Sequence, residues 1–284
     1  MKTIVAVVAD THCGSQVGLM PPDQFQLDAE GFYDPSPQQK FLWECWQHSW
    51  LKIAKLRKRS KLIVVFNGDA IQGTDEKFMA LVSKRTDEHD AIHVACMEYA
   101  LKTAGFNQSK VDELYYVRGT ERHSEPGSAA EERLASDLGA NKLAGRSSNV
   151  QIQLDVNGVV FDFMHKRIKR GTRWWTQDNA LFYAAKDSYA RIIDGDYQKP
   201  PFEVIYVGSH FHSWLPHQTH RGPKGNVTFA ITPAFQLMTG YSIEVTKGLE
   251  RATVGMMAYE VEGDGAWRVH EYIWEPNHIP VPSK

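Results

Sequence analysis

Five short polar clusters in this 284-residue chain carry side chains of the types that bind divalent metal ions. They are Asp10-Thr11-His12, Asn67-Gly68-Asp69, Gly119-Thr120 with His123 just beyond, His165, and Gly208-Ser209-His210-Phe211-His212. Each follows an apolar run, so each is expected at the carboxyl end of a strand. In α/β sheets that edge is where ligands bind. Asp10/His12 and His210/His212 are i, i+2 pairs, and in extended chain such residues project to one side and can converge on one point. Asp and His together favour borderline divalent ions such as Mn, Fe, Zn or Co. A carboxylate can also bridge two ions, and Asp69, alone between His-rich pairs, is the natural bridge. A single DxH or HxH is common in ordinary turns; the metal reading comes from five clusters, each at an expected strand end.

The elements that must position these residues can be read from periodicity. Apolar runs at 3–10, 61–69 and 113–119 predict strands, and 39–59, 87–104 and 128–138 predict helices. In the first helix Leu42, Trp46, Trp50, Ile53 and Leu56 recur at three- and four-residue steps, with Trp43 beside them, which marks the tryptophans as core. Further on, 150–165 reads as a hairpin turning at Asn157-Gly158. A helix is expected over 175–194, and strands at 201–210, 226–233, 254–263 and 266–274. Residues 13–38 form a long insertion rich in Pro, Gly and Asp, and a loop of that length is usually functional. No repeat or linker interrupts the chain, so residues 1–284 read as a single domain. A βαβαβα half followed by a strand-rich half predicts an α/β protein with two packed sheets and helices outside.

Composition narrows the class of protein. Hydrophobic residues make up 42% and charged residues 23%, as in a soluble globular protein. The 32 Lys+Arg nearly balance 34 Asp+Glu, for a formal charge of −2, so global charge does not point to nucleic acid or a membrane. Cys13, Cys45 and Cys96 are widely spaced and form no CxxC, which argues for a reducing compartment and against a disulfide scaffold or zinc ribbon. The apolar run at the N-terminus is too short to span a bilayer and contains Asp10 and His12. A cytoplasmic protein without a membrane partner is expected.

The order DTH, NGDAI, GTERH, an isolated His and GSHFH, spanning residues 10 to 212, resembles the calcineurin-like metallophosphoesterase superfamily. The pattern there is DxH, GDxx, GNH[DE], His and GHxH. GLMPPDQF and TPAFQLMTG are similar to segments of phage- or prophage-type members. The resemblance implies a four-layer αββα sandwich with two mixed β-sheets and a metal site at the carboxyl ends of the strands. It also implies two divalent ions (Mn, Fe, Zn or Ni, with Mn favoured). Carried over, Asp10, His12 and His212 hold one ion, Asp69 bridges, and His165 and His210 hold the other. The implied activity is hydrolysis of phosphate esters by a metal-bridging hydroxide, with the ions stabilising charge on the phosphoryl oxygens. A phosphodiesterase or nuclease is favoured. The alternatives are a phosphomonoesterase, including a protein phosphatase, and a metal-binding member without turnover.

GTERH departs from the pattern: Thr120 stands at the Asn position and Glu121 at the His position. His123 then has three readings. It is a displaced general acid, which its titration near neutrality favours; or a ligand in place of the Asn; or an exposed turn residue paired with Glu121 or Glu125. Ser209 replaces the usual Gly before His210. Directly after His165, HKRIKRGTRWW places Arg167, Arg173 and Trp174 as candidate substrate-binding residues. Basic groups interleaved with aromatics can grip a phosphodiester backbone and stack a base, making nucleic acid a candidate partner. Equally, this is a solvated loop whose tryptophans anchor the next helix. Cys13 is either a soft extra ligand or a small buried side chain.

Overall fold

The structure is a computed structural model that describes residues 1–28, 31–74, 80–124, 127, 129–168, 179–195, 198–245 and 252–276. Its centre is β1 (Thr3–Val8), whose six residues are all buried. A strand buried on both faces has no polar side to show, which is why TIVAVV lacks alternation. Successive side chains still go to opposite faces: Ile4, Ala6 and Val8 join one apolar core, Val5 and Val7 another.

Around β1 runs a six-stranded mixed sheet. β4 (Lys61–Asn67), β5 (Glu113–Val117) and the short β6 (Ser148–Asn149) follow it in parallel on one side. On the other side β12 (Val254–Val261) pairs antiparallel with β1, and β13 (Trp267–Trp274) with β12. A second mixed sheet has the order β10-β11-β9-β8-β7. In it β7 (Ile152–Val156) and β8 (Val159–Phe163) form the expected hairpin, and β8 runs parallel to β9 (Phe202–Gly208). β9 is parallel to β11 (Gly225–Ile231), which pairs antiparallel with β10 (Leu215–Gly222). Asn157 and Gly158 close the β7–β8 hairpin with φ of +54° and +88°, as a two-residue primed turn requires.

Three apolar cores hold these elements. Helices α1 (Pro37–Arg57), α2 (Thr86–Thr103) and α4 (Ala129–Asp137) set Leu42, Trp46, Ile92, Met97 and Leu134 against the β1 face that carries Ile4 and Ala6. A second core joins the two sheets through Val5, Ile63 and Val65 on one side and Phe161, Phe163 and Ile205 on the other. A third sets Leu181, Ala185 and Ile192 of α5 (Asn179–Gly195) against Val204, Phe229 and Ile231. The protein is therefore of the α/β class. Among the described residues no helix is long and apolar enough to cross a membrane, and all three cysteines are free and buried.

Several elements are not legible in the sequence. The 13–38 insertion contains a small hairpin, β2 (Phe25–Leu27) with β3 (Gly31–Tyr33). It is pinned to the protein by Gln39 Nε2, which donates to the Ser15 carbonyl at 2.9 Å, and by the Leu19 N–H on the Thr11 carbonyl at 2.9 Å. β10 reads LPHQTHRG, with Pro and little apolar alternation, as an edge strand tolerates. The short helices α3 (Glu121–Ser124) and α6 (Gly240–Val245) are too brief to carry a period. Arg173 and Trp174 lie outside the described residues, as does the start of the helix expected from 175.

Candidate metal centre

β1, β4, β5, β8 and β9 deliver their carboxyl ends to one edge, where backbone hydrogen bonds tie the turns together. The Asp10 N–H donates to the Gly68 carbonyl at 2.9 Å, and the Ser209 N–H to the His165 carbonyl at 2.8 Å. β1, β5 and β8 stop short of their polar clusters, and β4 and β9 end on the first residue of theirs, Asn67 and Gly208, because the chain turns sharply there. Asp10, His12, Asp69, His210 and His212 have φ of +52°, +42°, +54°, +81° and +52°. They are five of the eight non-glycine residues with positive φ among those described. Such backbone is uncommon outside glycine, though Asp and His tolerate it best, and it concentrates at functional sites. The pairs are therefore not extended, so the i, i+2 argument does not apply, and only one of them converges. Asp10 and His12 face the same point, whereas His212 joins them and His210 turns to Asp69 and His165.

Three donor groups result: Asp10/His12/His212, Asp69/His165/His210, and His12/Asp69/His123. Asp10, His12, Asp69 and His165 are almost wholly buried, while the His210 and His212 side chains keep 28% and 17% of their surface exposed. His12 Nε2 lies 3.0 Å from His212 Nε2 and 3.7 Å from Asp10 Oδ1. Asp69 Oδ2 lies 3.0 Å from His165 Nε2, 3.9 Å from His210 Nδ1 and 4.0 Å from His12 Nε2. Ligands held at about 2.1 Å from one ion are about 3.0 to 4.2 Å apart, depending on the angle between them. The donor separations fit that range.

Hydrogen bonding points the same way. His165 Nδ1 donates to the Asn67 carbonyl at 2.7 Å. Its Nε2 has no hydrogen-bond partner, although Asp69 Oδ2 is close. Either a proton on His165 or a cation between the two atoms satisfies that facing pair. Asp10 Oδ1 is likewise buried without a hydrogen bond. The other oxygen of each carboxylate is held by backbone. Asp10 Oδ2 accepts the His210 N–H at 3.0 Å, and Asp69 Oδ1 accepts the Thr120 N–H at 2.6 Å. Gly119 permits this second approach, because a Cβ there would collide with Asp69.

The charges are strongly perturbed. Burial disfavours the Asp10 carboxylate, yet the charge of His165 and the imidazoles of His12 and His212 hold its pKa far below the usual range. Asp69 is also held well below it, against burial, by His165 and His210. Burial also opposes a charged His165, but Asp69 and Asp10 outweigh it and raise the pKa to about 10. Burial and the neighbouring His123 push His12 down to about 3. The site thus presents two carboxylates and, in His12, a neutral imidazole, while His165 carries a proton that a dication must displace.

His123 is neither exposed nor beside the His165/His210 set. Its ring stands edge-on against His12 at 4.4 Å, and its Nδ1 donates to the Gln72 carbonyl at 2.7 Å. Burial lowers its pKa, against the opposing pull of Asp69. Thr120 is not aimed at the imidazoles: its hydroxyl donates to Asp69 Oδ1 at 3.1 Å. Ser209 receives the Asn67 amide at 2.6 Å and the Thr232 hydroxyl at 2.9 Å. That buried trio links the turns carrying Asp69 and His210, and only the position of Asn67 beside Gly68-Asp69 hinted at it. The TPAFQ segment passes underneath, where the Phe235 N–H donates to the Asp10 carbonyl at 3.0 Å and Gln236 Nε2 to Gln72 Oε1 at 2.7 Å.

Arg167 pairs with Asp162 and lies over the Tyr206 ring at 4.8 Å. Asp162 also takes Gln151 and Gln153, so these contacts draw the guanidinium toward the β8–β9 surface. Cys13 Sγ sits 3.9 Å from His93 Nδ1 and belongs to the helix-side core.

No family model matches the chain, and no curated protein matches it. Among solved structures it is similar to Vps29 of Chaetomium thermophilum, with 10% identity, coverage of 96% of this chain and 98% of that chain, and a TM-score of 0.35. At that score the likeness says nothing about the site.

Proposed function

We propose that the chain is a dinuclear metal-dependent phosphoesterase of the calcineurin-like type. The observation that carries this reading is the sharing of Asp69 Oδ2 between two donor sets, His12 with its partners on one side and His165 with His210 on the other. The three cores, stacked helix–sheet, sheet–sheet and sheet–helix, support a four-layer αββα sandwich, and we take residues 1–284 as one domain. Asp10, His12 and His212 would hold one divalent ion, His165 and His210 the other, with Asp69 shared between them. Such ions, Mn by preference, would activate water at neutral pH and offset charge on the phosphoryl oxygens. Around them the chain orients its own groups. Asn67 fixes the His165 tautomer, Thr120 fixes Asp69, and the Gln72 carbonyl holds Nδ1 of His123.

His123 is assigned as proton donor to the leaving group. Its place in the His12/Asp69/His123 group favours a second role, as a further ligand on the His12 side. Phosphodiesters, including nucleic acid, are the proposed substrates, on the strength of the basic-aromatic segment after His165. Arg173 and Trp174 are the residues of that segment to test, since Arg167 is engaged by Asp162. Elemental analysis with hydrolysis of bis- and mono-nitrophenyl phosphate in Mn tests the proposal. Two ions per chain with preference for the diester are expected. Preference for the monoester moves the assignment to a phosphomonoesterase. Two ions without hydrolysis of either ester indicate a binding protein, and no bound metal overturns the proposal.

A further inference from the structure

We infer that Asp10 is a second bridging carboxylate, serving both ions through Oδ1, and that it supplies the second ion with the oxygen that Thr120 does not. The inference rests on the two-ion reading above. A carboxylate serving only the His12 ion would stand near His12 and His212 and away from His165. Instead Asp10 Oδ1 lies 3.4 Å from His212 Nε2, 3.7 Å from His12 Nε2 and 3.9 Å from His165 Nε2. All three separations fit ligands sharing an ion, at about 3.0 to 4.2 Å, and they span both imidazole sets. The atom is fully buried and accepts no hydrogen bond, so its lone pairs are open to cations.

The two carboxylates are arranged alike. Asp69 gives Oδ1 to the Thr120 N–H and turns Oδ2 between the sets; Asp10 gives Oδ2 to the His210 N–H and turns Oδ1 between them. The oxygen bound to backbone sets the rotamer, and the other is aimed at the imidazoles. Without a contribution from Asp10, the second ion has only Asp69, His165 and His210 from the grouped donors. The Thr120 hydroxyl is turned to the Asp69 carboxylate, 3.1 Å from Oδ1 and 3.3 Å from Oδ2, and is a weaker donor than an amide oxygen. Asp10 Oδ1 fills that place.

The test is calorimetric titration of Mn into metal-stripped full-length protein, comparing wild type, Asp10→Asn and His212→Ala. Asp10→Asn keeps an oxygen for the His210 N–H and replaces the aimed oxygen by an NH2 group that cannot bind metal, so the turn is preserved. Asp10→Ala, with its fold checked by circular dichroism, is the second variant. Expected are two binding steps in wild type, both weakened about tenfold or more in each Asp10 variant, and one step kept at wild-type affinity in His212→Ala. If either Asp10 variant keeps one step at wild-type affinity, Asp10 serves a single ion and the inference is overturned. If His212→Ala loses both steps equally, Asp10 does no more than a terminal ligand and the inference also falls. Fewer than two steps in wild type overturns the two-ion reading itself, and this inference with it.

Discussion

Thr120 grips Asp69 through its backbone N–H, 2.6 Å from Oδ1, and its hydroxyl, 3.1 Å from Oδ1 and 3.3 Å from Oδ2. The carboxylate therefore cannot rotate, and Oδ2 remains pointed at imidazoles from three different turns. Removing the hydroxyl alone isolates half of that grip. Thr120→Val is expected to lower stability by about 1 kcal/mol, as for one lost hydrogen bond. It is also expected to weaken metal binding by about tenfold, as for loss of a ligand-orienting partner. Chemical denaturation and Mn titration measure the two effects, and unchanged metal affinity would show that the backbone N–H suffices.

His123→Ala separates the two roles left for that ring. As proton donor, its loss leaves both ions in place and cuts hydrolysis by about 100-fold or more, with the smallest loss for substrates whose leaving group needs no proton. As a ligand, its loss lowers the metal count or affinity. Elemental analysis beside kinetics on esters of graded leaving-group pKa distinguishes the outcomes.

The metal-free protein should titrate through His165. Its pKa in the fold is raised from the ordinary 6.5 to about 10. A folded value above the unfolded one gives stability that is fully present below pH 6.5 and is lost as pH rises through 10. Unfolding of chelator-treated protein should therefore become easier across that window, and His165→Gln should flatten the profile. Loading an ion at neutral pH displaces the same proton, so titrations in buffers of different ionisation enthalpy should report release of about one proton from this residue. His12, held near 3, should contribute none.

At the opposite end of the same strands, Arg57 makes a two-pronged pair with Asp112 at 2.9 and 3.1 Å. Asp112 also accepts the Leu62 and Asn107 N–H groups. Asp112→Ala leaves a buried guanidinium without its counter-charge and two backbone donors unmet, and should cost about 3–5 kcal/mol. Because β4 and β5 carry their metal-side residues at the other end, metal stoichiometry of the folded fraction should not change. Urea denaturation with elemental analysis checks both points.

Which residues stand at the ends of the strands is legible from the chain alone. Buried strands need uninterrupted apolar runs, and a run of Val and Ile broken abruptly by Asp, Asn or His marks where burial gives way to chemistry. The α/β class, the Asn157-Gly158 hairpin and the α1 face of Leu42, Trp46 and Trp50 follow from the same local rules. Only tertiary structure decided how those ends meet. Positive φ at Asp10, His12, Asp69, His210 and His212 turns side chains in directions that strand periodicity does not describe, so His210 and His212 part company. Thr120 finds Asp69 across 51 residues, and His210 finds Asp10 across 200. Those partners are chosen by sheet order, and no local pattern in the chain encodes which strand lies beside which.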